Sequence, residues 1–303
     1  MSRLRDALSA VERVVLGKPV QIRLCLACLL ARGHLLLEDV PGVGKTTLAH
    51  TLARVLGLDW RRLQFTSDLL PADVVGVSIF DRNTQQFQFR PGPVFTQLLL
   101  ADEINRASPK AQSALLEAME ERQVSIDGVT HPLPDPFFVV ATQNPHEQLG
   151  AFGLPESQLD RFLMRVSLGY PDREAERALL LAGDRHELLA STNAVLNPAE
   201  LLAAQRAARA IYVGAPLLDY VQALVASSRT LFQLGLSPRA AQGLVRAAQA
   251  WALLAEERAV LPEHVQAVLA SVSAHRLEQR DSGGAGNGAR LAAELLAAVP
   301  VPI

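Results

Sequence analysis

Between residues 38 and 47 the chain reads Glu38-Asp39-Val40-Pro41-Gly42-Val43-Gly44-Lys45-Thr46-Thr47, a mixture of glycines, one lysine and two hydroxyls suited to holding a polyphosphate. It nearly fits the pattern G-x-x-x-x-G-K-[ST], with Asp39 standing where the first glycine is expected. Gly42 and Gly44 let backbone N–H groups curl around phosphate oxygens. A helix opening near Lys45 would direct its positive dipole end at the same oxygens. The segment from Pro41 through Val43 to Thr47 is therefore the expected nucleotide-binding set, with Lys45 on the β- and γ-phosphates and Thr46 ligating Mg²⁺. A carboxylate aimed at a triphosphate is repelled, so Asp39 is expected to face away; Asp tolerates turn conformations better than most residues.

Fifty-seven positions beyond Lys45, the apolar run Leu98-Leu99-Leu100-Ala101 ends in Asp102-Glu103. One carboxylate at a strand's end can hold Mg²⁺ through its water shell, and the next can orient and deprotonate an attacking water. Asp102 is assigned to the metal and Glu103 to the general base. A third polar group, Asn144, follows the run Val139-Val140-Ala141, where an amide can contact the γ-phosphate or position the water.

These groups need a scaffold that brings three strand ends together. Leu35 to Leu37, Leu98 to Ala101 and Phe137 to Ala141 are continuous apolar runs, as strands covered on both faces should be. Ser108 is a plausible N-cap before Pro109, and Ala111, Ala114, Leu115, Ala118 and Met119 make one apolar helical stripe. Two polar hairpins are expected, at 77–89 and at 123–133, the second turning on Asp127-Gly128. After Pro171 helical periodicity takes over. Asn197-Pro198-Ala199-Glu200 reads as a capping box, Ser237-Pro238 as another helix start, and Asp281 to Gly288 as a loop before a last helix, Ala289 to Ala298. The expected fold class is α/β, a parallel sheet between helices with hairpin inserts at 1–171, including an N-terminal helix, followed by an all-α lid at 172–303.

Composition narrows the partners. The 303 residues carry 29 basic and 31 acidic side chains, a net charge of −2, so a nucleic-acid grip by the whole surface is not expected. With 49% hydrophobic and 20% charged residues the chain can build a packed core. The first residues lack a signal-peptide pattern, and Leu24 to Ala31 is too short to span a bilayer. Together these predict a cytoplasmic protein without membrane insertion.

Four ordered stretches carry a specific resemblance: LLLEDVPGVGKTTLA, LLLADEINRASPKAQSALLEAMEERQVSIDG, FFVVATQNPHEQLGAFGLPESQLDRFLMRV and LSPRAAQGL. They resemble the AAA+ ATPases and, within them, the MoxR family of chaperone-like ATPases, over about Arg3 to Pro302. The resemblance implies that Lys45 and Thr46 are the Walker A residues, Asp102 and Glu103 the Walker B pair, and Asn144 sensor 1. It makes Arg161 an arginine finger for the next subunit and Arg239 a sensor 2 at the opening of a lid helix. It also implies a ring, expected to be a hexamer, whose hairpins face a central pore. ATP and Mg²⁺ would bind between core and lid, and hydrolysis would change the core–lid angle. A client protein would be remodelled, assembled or supplied with a metal cofactor, usually beside a companion containing a von Willebrand A domain.

Other signals point to packing or to the solvated surface. Cys25 and Cys28 form C-x-x-C inside an apolar helical run with no second ligand pair, which suits a buried helix face better than zinc or redox chemistry. Trp60 and Trp251 read as packing residues, and Glu117, Glu120 and Glu121 as a solvated helix face from which one can reach a neighbour. Arg106 is a weaker candidate for such a contact, and His146 is expected to be a loop histidine. Alternative readings are a magnesium-chelatase-like motor subunit, a nucleic-acid motor or transcription activator, and a non-hydrolysing nucleotide switch. Near-neutral charge and the intact Asp102-Glu103 pair argue against the last two.

Overall fold

The computed structural model describes residues 2–144, 152–181, 185–279 and 288–301. In chain order the first elements are α1 (Ser2–Val14), α2 (Pro19–Leu30), β1 (His34–Glu38), α3 (Lys45–Val55), β2 (Trp60–Gln64), α4 (Pro71–Val75), β3 (Gly76–Asp81) and β4 (Gln86–Pro91). They continue with β5 (Leu98–Asp102), α5 (Pro109–Glu121), β6 (Gln123–Ile126), β7 (Val129–Pro132), β8 (Phe138–Gln143), α6 (Glu156–Leu159) and β9 (Phe162–Val166). The remainder is helical: α7 (Arg173–Leu181), α8 (Arg185–Ser191), α9 (Pro198–Arg209), α10 (Ala215–Leu231), α11 (Pro238–Leu254), α12 (Pro262–Ser273) and α13 (Gly288–Ala298).

Five parallel strands form the sheet in the order β2-β5-β8-β1-β9. The three apolar runs fill its centre, and all of Leu98–Asp102 is buried. Alternate side chains serve opposite faces, as strand geometry requires. Leu35, Leu37, Leu98, Leu100, Phe138 and Val140 join a cluster with α1, α2, α3 and the later helices. Leu36, Leu99, Ala101, Val139 and Ala141 join a second cluster with α4 and α5. Of the two flanking strands, β9 carries the buried apolar run Phe162 to Met164, whereas β2 has no apolar run and no buried residue.

The expected caps form. Ser108 Oγ accepts from the Ala111 N–H, Ser237 Oγ from the Ala240 N–H, and Asn197 and Glu200 make a reciprocal box. Both hairpins are present as two-stranded sheets, and Asp127 and Gly128 take the positive φ values, 51° and 79°, of a type I′ turn. Cys25 and Cys28 are free and buried in α2; burial pushes both thiols up, Cys28 to about 12, so neither ionises at neutral pH. Trp60 stacks on His50 and Trp251 lies under the Arg23 guanidinium, both as packing contacts. Among the described residues no helix is long and apolar enough to cross a membrane. Residues 281–287 of the expected loop, and His146, lie outside the described residues.

Candidate nucleotide-binding site

The C-terminal ends of β1, β5 and β8 open on one cleft of about 330 Å³. After β1 the chain passes through Gly42 at φ 84° and Gly44 at φ 95°. A Cβ at either position would meet nothing within 4 Å, so the backbone torsion, and not lack of room, calls for glycine. Gly44 caps α3, which begins at Lys45 and points its N-terminus into the cleft. Pro41, Gly42, Gly44, Lys45, Thr46 and Thr47 line that cleft. Val43 does not; its side chain packs against the apolar cluster shared with the later helices. Lys45 Nζ donates to the carbonyl oxygens of Asp39 and Val40, the latter at 3.1 Å.

Asp39 faces away from the loop, as its charge demands. Its Oδ2 accepts from Ser167 Oγ at 2.9 Å and from the Gly169 N–H at 2.6 Å, and Oδ1 accepts from the Val40 N–H at 2.9 Å. The residue therefore fastens the phosphate loop to the segment leaving β9, and a glycine there could not.

On the facing wall, Asp102 and Glu103 are held by neighbours the sequence did not advertise. Thr142 Oγ1 donates to Asp102 Oδ1 and accepts from the Glu103 N–H. Arg62 of β2 places Nη2 and Nε at 2.6 and 3.0 Å from Asp102 Oδ2. Gln64, two residues along the same strand, donates to Glu103 Oε2 at 2.7 Å, which also accepts from Arg106 Nη1 at 3.0 Å. Glu103 itself sits at φ 55°, a left-handed conformation that is strained for a residue with a side chain and is concentrated at functional sites. Thr142, Gln143 and the buried Asn144 complete the lining from the end of β8.

Arg161 and Arg239 are not in this cleft. The residues lining the cleft all precede the expected boundary at 171. Helices α9 and α11 pack on α2, and the apolar faces of α2 and α11 share one cluster. Arg161 and Arg239 meet elsewhere, on Glu120, which lies on the exposed face of α5 with Glu117 and Glu121 and ion-pairs with both arginines. The cleft they line also contains Gly33 and His34, at the start of β1, the end of the sheet opposite the phosphate loop.

Sequence reasoning thus missed Arg62, Gln64 and Thr142 as site residues. Thr142 lies in the strand-end run that also gave Asn144, whereas Arg62 and Gln64 lie on an edge strand with no motif of their own.

Comparison with known proteins agrees with this fold. Residues 34–164 match the family model described as the ATPase family associated with various cellular activities (AAA), and residues 226–293 match the AAA lid domain. The uncharacterized protein YeaC of Bacillus subtilis strain 168 is 43% identical over 306 residues, covering 99% of this chain and 95% of its own. Chaperone MoxR1 of Mycobacterium tuberculosis is 42% identical over 285 residues, covering 90% of this chain and 75% of its own. The crystal structure of a candidate ATPase from Cytophaga hutchinsonii superposes with a TM-score of 0.90 at 34% identity, covering 100% of this chain and 96% of that one.

Proposed function

The chain belongs to the MoxR family of AAA+ ATPases, and on that premise we propose that it hydrolyses ATP in a Mg²⁺-dependent reaction completed by a neighbouring copy of itself. One observation carries the proposal: the phosphate loop, the Asp102-Glu103 pair and Asn144 open on a single cleft from three strands that are far apart in sequence. In that cleft the loop N–H groups and Lys45 would bind the phosphates, Glu103 would take the proton of an attacking water, and Asn144 would orient that water or the γ-phosphate.

The donor set fits Mg²⁺. Thr46 offers a hydroxyl and Asp102 a carboxylate, the hard oxygens that this ion takes alongside phosphate and water. Arg62 fills Asp102 Oδ2 with two donors, whereas Oδ1 accepts only from Thr142 and keeps a lone pair for the ion's water shell. Bound there, the ion would neutralise charge on the phosphates.

Arg161 and Arg239 would act on the nucleotide of the next protomer, since both lie together at the opposite end of the sheet from their own loop. A ring follows, proposed as a hexamer, in which the hairpins β3–β4 and β6–β7 face the pore. The two strands of the first hairpin expose Phe80 and Phe87, the latter 72% accessible, as apolar grips for a polypeptide. We propose a client protein as the object of the work, remodelled, assembled or supplied with a cofactor beside a companion bearing a von Willebrand A domain.

The test is ATP hydrolysis over a protein-concentration series for wild type, Glu103→Gln and Arg161→Ala. Specific activity should rise with concentration, and both variants should bind ATP while losing turnover. Activity independent of concentration, or full turnover in Arg161→Ala, would refute the shared site.

A further inference from the structure

A single carboxylate joins the two arginines assigned above to the neighbouring protomer. Glu120, in the last turn of α5, ion-pairs through Oε1 with Arg239 Nη1 at 2.7 Å and through Oε2 with Arg161 Nη2 at 3.1 Å. Arg161 immediately precedes β9 in the core, whereas Arg239 lies in the first turn of α11 in the lid. Their side chains are 27% and 44% exposed, open enough for another molecule to reach.

A second link runs parallel to the first. Ser237, the N-cap of α11, donates from Oγ to Asp160 Oδ2 at 3.3 Å, and Asp160 is the residue next to Arg161. Asp160 is fixed in turn by the buried Arg276, whose Nε donates to Asp160 Oδ1 at 2.6 Å and whose Nη2 donates to the Phe162 carbonyl, also at 2.6 Å. The backbones carrying the two arginines are thus coupled through Asp160, and their side chains through Glu120.

Charge makes Glu120 the residue on which the pair depends. Arg122 and Arg246 line the same cleft, as does Arg32, which is paired with Asp135, so Arg161 and Arg239 stand in a positive field. Asp160 is committed to Arg276 and Asp135 to Arg32, which leaves Glu120 as the carboxylate paired with Arg161 and Arg239. Donor arithmetic then decides what the contact does. A guanidinium has five N–H donors, and a carboxylate that sequestered an arginine would take its planar fork with both oxygens. Glu120 gives one oxygen to each arginine, so most donors on both stay available for phosphate.

We infer that Glu120 is a positioning residue that sets Arg161 and Arg239 as one two-pronged unit, presented together to a phosphate across the subunit boundary. The inference rests on the ring reading of the preceding section. The benefit is rotational: two long side chains already confined in the free protomer lose little more freedom when they meet the phosphate.

The experiment compares wild type, Glu120→Gln, Glu120→Asp, Arg239→Ala and the Glu120→Gln/Arg239→Ala pair, as full chains. It reads kcat at saturating ATP, the ATP Kd and the Tm. Glu120→Gln keeps the side chain's size and should lower kcat about tenfold with the Kd and Tm near wild type. Glu120→Asp keeps the charge and should fall between the two. In the Arg239→Ala background the effect of Glu120→Gln should shrink, because one of its two partners is gone.

Wild-type kcat in Glu120→Gln overturns the inference. So does a full tenfold effect that persists in the Arg239→Ala background, or a loss of kcat that merely tracks a large fall in Tm. Arg161→Ala, run alongside, separates the two levels. If that variant turns over like wild type, the ring reading itself fails and this inference with it; if it is slow while Glu120→Gln is not, this inference alone is rejected. An inactive wild type at every concentration removes both.

Discussion

Thr142 Oγ1 lies 2.5 Å from Asp102 Oδ1 and binds the adjacent strand's carboxylate at the point where β5 and β8 leave the sheet. The same oxygen accepts the Glu103 N–H at 2.9 Å, so one hydroxyl fixes both residues of the acidic pair, including the strained backbone of Glu103. Thr142→Val keeps the shape and removes the hydroxyl. It should destabilise the chain by about 1–2 kcal/mol and lower ATP turnover by roughly tenfold. Steady-state kinetics beside urea unfolding would check this, and wild-type turnover would show that Glu103 holds its position unaided.

Asp39 offers a less intuitive experiment. Replacing it with glycine makes the loop match the G-x-x-x-x-G-K-[ST] pattern in full. Yet Asp39 is not among the residues with positive φ, and its carboxylate accepts three hydrogen bonds. Asp39→Gly should therefore cost about 3 kcal/mol of stability and weaken ATP binding. Calorimetric titration with ATP would show it, and tighter binding in the variant would contradict the anchoring role.

Stability should fall in mild acid through His34. The ring is buried and neutral: Nδ1 accepts from the Val139 N–H at 2.9 Å and Nε2 faces the Met119 carbonyl at 3.2 Å. Burial above all, then the nearby Arg122 and Arg239, pushes its pKa down to about 4. The unfolded chain takes up the proton near pH 6.5 and the folded chain only near 4, so stability is full above 6.5 and declines between these values. The loss is on the order of 3 kcal/mol. His275, buried and likewise pushed down, adds to the same slope. Urea unfolding from pH 7.5 to 4 should show the decline, and His34→Gln should flatten it.

Leu29 in α2 is fully buried in the cluster that also holds Leu201 of α9 and Leu244 and Leu253 of α11. Leu29→Ala should cost about 2–5 kcal/mol by leaving a cavity where α2 meets α9 and α11. Thermal unfolding should show one transition at a lower Tm; two separated transitions would mean that core and lid do not share this packing.

The sequence was most legible where chemistry and local structure coincide. Glycines at 42 and 44, the carboxylates at 102 and 103, and the caps at Ser108, Asn197 and Ser237 each leave a short, local pattern because their physical task is local. Long-range partners leave none. Arg62 and Gln64 reach Asp102 and Glu103 across about 40 residues, and Trp60–Gln64 is an edge strand whose half-exposed pattern has no clear period. The meeting of Arg161, Arg239 and Glu120 depends on how the lid docks on α2, which no window of sequence encodes.

The cluster that runs from Leu4 to Val299 has a consequence for dissection of the chain. A fragment ending near Tyr170 would keep the whole phosphate loop and both carboxylates, yet it would remove α9 and α11 from α2 and open part of that helix's apolar surface to water. Such a fragment should aggregate during expression instead of binding nucleotide, so an empty result from it would describe the cut and not the site. Recombinant work on this chain is best done by point substitution.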